Sequence, residues 1–356
     1  MSSGHSERRA EHYPRLVGDI GGTNARFAIV AAPGAQPTHV RTLPCADYDG
    51  PQEAICDYLA LEGLAVPPLA AFGIATPITG DHVSMTNHHW AFSVETLRAS
   101  LGLERLLVIN DFTALALSLQ QLQPHERTQV GGGSALPGHA IGLVGAGTGL
   151  GISGLVPCGA DHVPLAGEGG HVTLPAADAR EARIIALLAE RYGHVSAERV
   201  LSGPGLVALH DAIRTLAGEP AAKLSSAEIS ARGLAASCAI CIETLHTFCA
   251  MLGTVAGDLA LTLGARGGVY IGGGIVPRFG AFFAASDFRR RFEAKGRFAA
   301  YLADVPTYVI NAPYPALLGA ARALETPLTM GCDARSWSPA TAAPDAVLTA
   351  STPIQD

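Results

Sequence analysis

The chain has 356 residues, of which 48% are hydrophobic and 15% are charged, and its formal net charge is −7. This length exceeds the ~250–300 residues at which one hydrophobic core stops growing, and the composition is that of a globular enzyme, so we expect two lobes. With 24 lysines and arginines against 31 aspartates and glutamates, and no basic stripe, the sequence argues against a nucleic-acid partner.

The two ends of the chain predict no folded structure. Residues 1–13 lack the apolar segment of a signal peptide and are interpreted as a disordered lead. Residues 325–356 are rich in Pro, Ala and Thr without periodicity and predict a disordered tail. The uncharged stretch 140–160 contains too many glycines for a membrane helix, so no membrane segment is expected. Seven scattered cysteines favour a reduced, cytoplasmic protein.

The first predicted elements are two apolar strands in LVGDIGGTNARFAIV, residues 16–30, separated by a glycine-rich polar turn. A hairpin needs only two turn residues, so the additional glycines indicate that a ligand approaches the backbone. Successive N–H groups in such a turn form an anion site, to which Thr23 and Asn24 would add donors. Asp19 is a candidate ligand for Mg²⁺, directly or through water. A tight hairpin without a ligand is the structural alternative.

An apolar strand in LLVIND, residues 106–111, ends at Asn110 and Asp111 before a predicted helix. Ligands bind at the carboxyl ends of strands in open α/β sheets, so Asp111 is placed to accept a proton from a substrate hydroxyl. In the structural alternative, which stays open, Asp111 only caps the helix.

The segment IGLVGAGTGLGISGLVP, residues 141–157, repeats the plan of the first hairpin. Val17 and Val144 occupy corresponding positions 127 residues apart (144 − 17). We therefore expect two similar lobes that each present a glycine turn to a shared cleft, with Thr148 as a further donor. A strand-like segment follows the G-x-G-x-x-G at 149–154, which argues against a dinucleotide site, and no P-loop motif is present.

Further polar residues follow in glycine-framed segments. Glu168 and His171 lie in PLAGEGGHVTLP, and Glu198 lies in HVSAERVLSGPG. Such side chains can hydrogen-bond sugar hydroxyls, whereas a zinc site lacks a third His or Cys nearby; for Glu198 the alternative is a helix start. The glycines at 272–274 predict either a ligand face or a tight turn. The Cys238-x-x-Cys241 pair is interpreted as small core residues inside a long buried helix.

Eight ordered segments resemble the bacterial glucokinase family, the ATP-dependent hexose kinases. They are GDIGGTNAR, ATPITGDHVSMTNHHWAFS, INDFTALAL, GAGTGLG, LAGEGGHV, GHVSAERVLSGPGL, GGVYIGGGIVPRF and KGRF. The resemblance runs from about residue 16 to about residue 323. It implies an α/β fold of the two-lobed, actin-like ATPase (ribonuclease H-like) type, with a nucleotide and sugar cleft between the lobes. The implied small lobe is 14–121 plus 312–324, and the large lobe is 122–311.

The resemblance also implies an activity and its residues. The chain would be a cytoplasmic, homodimeric glucokinase that uses ATP and Mg²⁺ to phosphorylate the 6-hydroxyl of D-glucose, the first step of glycolysis. The implied ATP-binding residues are Gly18, Asp19, Ile20, Gly21, Gly22, Thr23, Asn24, Gly147, Thr148, Gly149 and Gly273. The implied glucose-binding residues are Asn110, Asp111, Glu168, His171 and Glu198, with Asp111 as the base.

The sequence departs from one related group, because the repressor and sugar-kinase proteins carry a cysteine-rich zinc loop after their Glu-x-x-His. The segment GEGGHVTLPAADAREARI has no cysteine, so no zinc is expected. Two alternatives stay open at this point: a kinase of the same fold for another hexose or an amino sugar, and a non-catalytic sugar sensor.

Overall fold

The computed structural model describes residues 13–86, 88–159, 161–220, 222–326 and 332–335. The strands are β1 (Arg15–Ile20), β2 (Asn24–Val30), β3 (Thr38–Pro44), β4 (Leu69–Ile74), β5 (His82–Ser84), β6 (Ala91–Ser93), β7 (Arg105–Asn110), β8 (Arg127–Val130), β9 (Ile141–Ala146), β10 (Leu150–Cys158), β11 (Asp161–Pro164), β12 (Val269–Gly272), β13 (Thr307–Ile310) and β14 (Cys332–Arg335).

The helices are α1 (Pro51–Glu62), α2 (Val94–Leu101), α3 (Asp111–Ser118), α4 (Ala179–Tyr192), α5 (Gly203–Leu216), α6 (Ser226–Leu234), α7 (Ala239–Leu263), α8 (Val276–Phe279), α9 (Ala281–Ala285), α10 (Phe288–Glu293), α11 (Ala299–Ala303) and α12 (Pro315–Ala323). Several begin at side-chain caps that the sequence supplies. Ser93 caps α2 and Ser202 caps α5, each accepting a hydrogen bond from a first-turn backbone N–H.

Two six-stranded sheets share one strand plan. The first has the order β3-β2-β1-β4-β7-β14, and the second has the order β11-β10-β9-β12-β13-β8. In each sheet the first three strands are antiparallel, the next two are parallel to the third, and the sixth is antiparallel again. The internal repeat predicted from the sequence is therefore confirmed, with β1–β2 and β9–β10 as the equivalent hairpins.

Helices α3 and α12 lie between the two sheets and form the junction between them. The hydrophobic cluster around these helices takes Val17 and Leu107 from the first sheet and Leu143 and Tyr270 from the second. The helices cross so closely that a Cβ added to Gly319 would lie 1.6 Å from the carbonyl oxygen of Ala114. This crossing fixes α3, and with it Asp111 at its first turn, relative to both sheets.

Part of the predicted disordered tail is ordered, which corrects the sequence interpretation. Residues Cys332–Arg335 pair antiparallel with β7, and Asp333 accepts two hydrogen bonds from the Arg105 guanidinium at 2.8 and 2.9 Å. Tyr13, at the end of the predicted lead, also donates a hydrogen bond to Glu325 at 2.7 Å. Composition missed this strand because a four-residue edge strand needs little apolar sequence of its own. The rest of the lead and most of the tail lie outside the described residues.

Helix α7 is the longest helix of the described chain. It is long and apolar enough to span a bilayer, but 72% of its most apolar 18-residue window is buried inside the protein. It packs against α5, α6 and α10 in the core of the second sheet. Its hydrophobic surface is thus covered by neighbouring helices, as the all-round apolar pattern predicts.

Candidate active site

The turn between β1 and β2 is a compact loop at the carboxyl end of β1. The N–H of Gly21 donates to the carbonyl of Asn24 at 2.9 Å, which closes the turn. Among the described residues, the backbone N–H groups of Gly22 and Thr23 donate to no protein acceptor. A Cβ added to Gly21 would meet only the Asn24 carbonyl, at 3.6 Å, so the space beside it is open. The turn therefore presents free donors to an anion.

Two residues that the resemblance assigns to this turn lie inside the strand instead. Gly18 and Ile20 are buried in β1, where both are paired with β2 and with β4. A Cβ at Gly18 would come within 2.8 Å of the Phe72 ring, so this glycine serves sheet packing. Asp19 also lies in β1, so the turn itself begins at Gly21, and the ATP-binding roles of Gly18 and Ile20 stay predictions.

The equivalent turn between β9 and β10 has the same form. The N–H of Gly147 donates to Gly149 at 2.8 Å, while the N–H groups of Thr148 and Gly149 have no acceptor among the described residues. The carbonyl of Gly147 accepts a hydrogen bond from the N–H of Gly203 at 2.8 Å, at the start of α5. Two turns, one per sheet, thus carry unpaired amide donors.

The third glycine cluster lies against the second turn. Gly273 has φ +81°, and a Cβ there would lie 2.2 Å from the carbonyl oxygen of Ala146, so only glycine fits. The N–H of Ile275 donates to the same carbonyl at 3.2 Å. The tight-turn alternative applies to Gly273, whereas the ligand face stays a prediction; Gly274 beside it has no atom within 4 Å of a Cβ position.

Asn110 and Asp111 divide two tasks between them. Asn110, and not Asp111, is the N-cap of α3: its Oδ1 accepts the N–H groups of Phe112 at 2.9 Å and Thr113 at 3.3 Å. Its Nδ2 donates to the Thr76 carbonyl at 3.3 Å. Asp111 is the first helical residue, and its Oδ1 also accepts the Phe112 N–H at 2.9 Å. The capping alternative for Asp111 is therefore wrong, since Asn110 performs it.

The surroundings of Asp111 disfavour its charge. Desolvation and the negative charges of Asp19 and Glu168 together raise the pKa of its carboxyl group to about 6, against the opposing effect of the Phe112 N–H. Asp19 comes from the first sheet, and Glu168 comes from the loop after the second sheet's β11. Carboxylates from two separate parts of the chain thus act on Asp111. A carboxyl group with a pKa near neutrality at a strand end is suited to general-base chemistry.

The loop that carries Glu168 and His171 is tied to the segment that carries Glu198. The Glu198 N–H donates to the Gly170 carbonyl at 2.9 Å, and His171 Nδ1 lies 3.9 Å from Glu198 Oε1. Glu198 Oε2 accepts the N–H of Leu150 at 2.9 Å, directly after the second glycine turn. The side chains of His171 and Glu198 are 59% and 33% exposed, so both can reach a ligand.

One charged residue of the site was missed by the sequence analysis. Arg26 Nη1 lies 2.9 Å from Asp19 Oδ2, and its guanidinium lies over the Tyr314 ring at 5.1 Å. The two residues face each other in the β1–β2 register, in which four residues, 21–24, separate the paired Ile20 and Ala25, so a hairpin with a four-residue connection would have predicted the pair. Desolvation raises the pKa of Asp19, and the Arg26 charge and hydrogen bond partly offset that effect.

Comparison with known proteins identifies the family. The glucokinase family profile matches residues 16–327. A glucokinase of Aromatoleum aromaticum is 65% identical over 320 residues, which cover 90% of this chain and 97% of that protein. A glucokinase of Chromobacterium violaceum is 55% identical and covers 87% of this chain and 89% of its own length.

A solved structure agrees with the fold. The crystal structure of a glucokinase from an Antarctic psychrotroph superimposes with a TM-score of 0.80 at 37% identity, covering 88% of this chain and 98% of that one. Membership of one family accounts for the repeated sheets, for the helices between them and for the resemblance in sequence. The chain belongs to the glucokinase family, the ATP-dependent sugar kinases with the actin-like ATPase fold.

Proposed function

We propose that the protein transfers the γ-phosphoryl group of ATP to the 6-hydroxyl of D-glucose, with Asp111 as the general base. The observation that carries this proposal is the state of Asp111. It is a partly buried carboxyl group with a pKa of about 6, and Asn110 relieves it of any capping task. A base of this pKa is ionised at neutral pH yet holds a proton strongly enough to take one from an alcohol as attack proceeds.

Glucose would lie between Asp111 and the tied loops of Glu168, His171 and Glu198. The carboxylates can each accept two hydroxyl hydrogen bonds, and the imidazole can donate or accept one. Asn110 Oδ1 is occupied by the helix cap, so only an Nδ2 hydrogen remains for the sugar. Such a set suits a polyhydroxy ligand.

The ATP phosphates would lie between the two glycine turns. The four free amide groups of Gly22, Thr23, Thr148 and Gly149 come from both sheets and point to one class of ligand, an oxyanion. Fixed amide donors stabilise charge that spreads over the phosphoryl oxygens during transfer without reorganising. Because the two turns belong to different sheets, movement at the α3–α12 junction would change the space that water can enter.

The residues fit a magnesium ion that is bound chiefly through phosphate. Asp19 Oδ2 pairs with Arg26, while among the described residues its Oδ1 accepts no hydrogen bond. The described residues contain no group of three or more His, Cys, Asp or Glu side chains able to hold a metal alone. Mg²⁺ commonly uses one carboxylate plus substrate phosphates, so Asp19 would hold it directly or through water. Such an ion would neutralise part of the negative charge of the phosphates.

The chemical step follows from these positions. Asp111 accepts the proton of the 6-hydroxyl while that oxygen forms a bond to the γ-phosphorus. The bond from the γ-phosphorus to the oxygen that bridges the β- and γ-phosphates breaks in line, and ADP leaves. The glycine-turn amides hold the transferring group, and the products are glucose 6-phosphate and ADP.

A coupled assay of ADP release across a panel of hexoses and amino sugars tests the substrate. We expect D-glucose, with ATP and Mg²⁺, to give the highest kcat/KM and glucose 6-phosphate as the product. Turnover of another sugar without glucose 6-phosphate formation would establish the alternative kinase, and sugar binding without ADP release would establish a sensor.

Isothermal calorimetry tests the sugar residues. Glu168→Gln, His171→Ala and Glu198→Gln should each weaken glucose binding by about 1.5–3 kcal/mol while nucleotide binding persists. Glu104→Gln, an exposed carboxylate at the opposite end of β7, is the matched control. Unchanged glucose affinity in all three variants would remove these residues from the pocket.

Several assignments stay predictions. They are the lobe boundaries at 14–121 plus 312–324 and at 122–311, the homodimer, the cytoplasmic location and the glycolytic role. Light scattering coupled to size exclusion measures the oligomeric state, and a monomer at assay concentration would contradict the homodimer.

A further inference from the structure

Only Cys241 of the Cys238-x-x-Cys241 pair lies inside a helix, which corrects the sequence interpretation for Cys238. Cys238 is the N-cap of α7, with extended backbone angles of φ −147° and ψ 116°, and Cys241 is the third residue of the helix. The N-cap and third helical side chains are neighbours, the relation on which capping boxes depend. The two thiol groups are accordingly close enough for each to shift the pKa of the other.

The two sulfurs differ in their exposure to solvent. Cys238 is partly exposed, whereas Cys241 is fully buried at 0% exposure. An outer thiol can meet an external reagent, and an inner thiol can then attack the outer sulfur. This asymmetry matches a nucleophilic and a resolving cysteine.

The surroundings also favour different protonation of the two thiols. The N–H group of Cys241, the Cys241 thiol and the N–H group of Ile240 lower the pKa of Cys238 against the opposing effect of its desolvation, although Cys238 makes no side-chain capping hydrogen bond. Burial raises the pKa of Cys241 to about 11. The start of a 25-residue helix adds the positive end of a long dipole, and Arg214 contributes a positive charge.

No other use of the pair fits as well. Within the described part of the chain, no third His, Cys, Asp or Glu side chain completes a metal site around it. A core role alone requires neither the partial exposure of Cys238 nor the placement of the two side chains at the N-cap and third positions of α7. The spacing of three residues also brings the Cα atoms within reach of a disulfide, which needs roughly 4.4–6.8 Å.

We propose that Cys238 and Cys241 form a redox-active dithiol that small-molecule disulfides such as oxidised glutathione convert reversibly into an intramolecular disulfide. The Cys238 thiolate attacks one sulfur of the oxidant, its S–S bond breaks, and one reduced glutathione leaves. Cys241 then loses its proton and attacks the Cys238 sulfur, which releases the second glutathione. One S–S bond is broken and one is formed, and the two electrons from the protein reduce the oxidant.

The first test measures alkylation of the unmodified, full-length protein by iodoacetamide at neutral pH under native conditions. Mass spectrometry follows Cys238 against the exposed Cys56 and Cys158, which serve as internal controls. We expect Cys238 to react several-fold faster than either control. Equal or slower alkylation of Cys238 would overturn the proposal, and this result does not depend on any variant folding.

The second test treats the protein with oxidised glutathione, blocks free thiols with N-ethylmaleimide and analyses the peptide that contains both cysteines. The wild type should lose the mass of two hydrogen atoms and recover it with dithiothreitol. Cys241→Ser should retain one glutathione on Cys238, Cys238→Ser should form no adduct there, and Cys56→Ser should behave as the wild type. A peptide that stays fully alkylated while Cys56 becomes glutathionylated would overturn the proposal.

Discussion

In the first sheet Asp19 is the next-to-last residue of β1 and Asp111 directly follows β7, whereas in the second sheet the equivalent strands β9 and β13 are followed by the glycine turn 147–149 and by Asn311. The offset of 127 residues that relates Val17 to Val144 also relates Asp19 to Ala146 (19 + 127). One copy of the strand plan thus carries carboxylates at its strand ends, and the other carries uncharged residues.

Under the proposed function, this difference separates the part of the molecule that positions the phosphates from the part that carries the base. A phosphate chain carries several negative charges, so carboxylates beside both turns would repel it, while the amide donors of the turns attract it. The carboxylates on the other side can serve a metal ion and a proton. Two copies of one scaffold therefore perform different tasks because of a few residues at strand ends.

The largest expected effect is a loss of kcat when the carboxylate of Asp111, at the end of a strand of the first sheet, is replaced. Asp111→Asn should lower kcat by about 10²–10⁴-fold, because an amide cannot accept the hydroxyl proton. Asn110 keeps the helix cap, and the oxygen of the introduced side-chain amide can still accept the Phe112 N–H, so the fold should persist. Steady-state kinetics with glucose and ATP measure the loss. A variant that keeps most of its kcat would mean that the base lies elsewhere.

The same variant should be more stable than the wild type at pH 8. The folded-state pKa of Asp111 is about 6 against 3.8 for an ordinary aspartate, so its ionised form costs stability above pH 6 and costs nothing below pH 3.8. The shift corresponds to at most about 3 kcal/mol, and less because the side chain is partly open to solvent. Thermal unfolding at pH 8 and at pH 4 should show the advantage shrinking as the pH falls. A stability loss at pH 8 would contradict the electrostatic account.

The next effect is the pH dependence of catalysis, which tests whether the carboxylate of Asp111 acts as the base. The base must be ionised, so kcat/KM for glucose at saturating ATP should rise with pH through about 6 and fall about tenfold per unit below it. Asp19 and Glu168 interact with Asp111, so the apparent value describes the group of carboxylates. A rate that stays flat between pH 5 and pH 7 would exclude Asp111 as the titrating base.

Breaking the junction between the two sheets should have a smaller effect on chemistry and a clear effect on stability. In Gly319→Ala the new methyl group would meet the Ala114 carbonyl, and backbone cannot move aside as a flexible side chain can. Overpacking of this kind typically costs about 1–3 kcal/mol, with occasional larger values. Thermal or denaturant unfolding measures it. Gly80→Ala is the control, because no atom lies within 4 Å of its Cβ position, and equal stability of the two variants would contradict the close crossing.

The smallest expected effect is the loss of stability when β14, the sixth strand of the first sheet, is removed. The sixth strands of the two sheets, β14 and β8, come from different parts of the chain. In the first sheet this strand comes from the end of the chain, and its removal tests whether the sheet needs it. Truncation after Thr326 should lower stability by about 1–3 kcal/mol relative to truncation after Arg335, since four cross-strand pairs and the Arg105–Asp333 ion pair are lost. Unfolding in urea measures the difference, and identical midpoints would show that β14 contributes nothing.

The sequence predicted those features that depend on neighbouring residues in the chain, and it missed those that depend on contacts between distant residues. The two hairpins were predictable because alternating apolar strands and glycine turns are local patterns. The capping alternative considered Asp111 one residue too late, because Asn and Asp cap equally well and only the backbone angles separate them. The Arg26–Asp19 pair requires the hairpin register, and β14 requires a partner strand more than 200 residues away, so neither is visible as a local pattern.

The position of β14 near the end of the chain also sets the order in which the two sheets are completed during synthesis. Strand β7 ends at Asn110, and its neighbour β14 begins 222 residues later (332 − 110), which at ~5–20 residues per second means a delay of about 10–45 seconds. The second sheet also waits, since β13 begins 177 residues after its neighbour β8 ends (307 − 130), but it is complete earlier because all of its strands lie within residues 127–310. The half of the protein made first is therefore completed last, and it offers an open strand edge to neighbouring nascent chains throughout that interval. Pulse-labelled ribosome-bound chains of increasing length should accordingly gain protease resistance in the second sheet before the first.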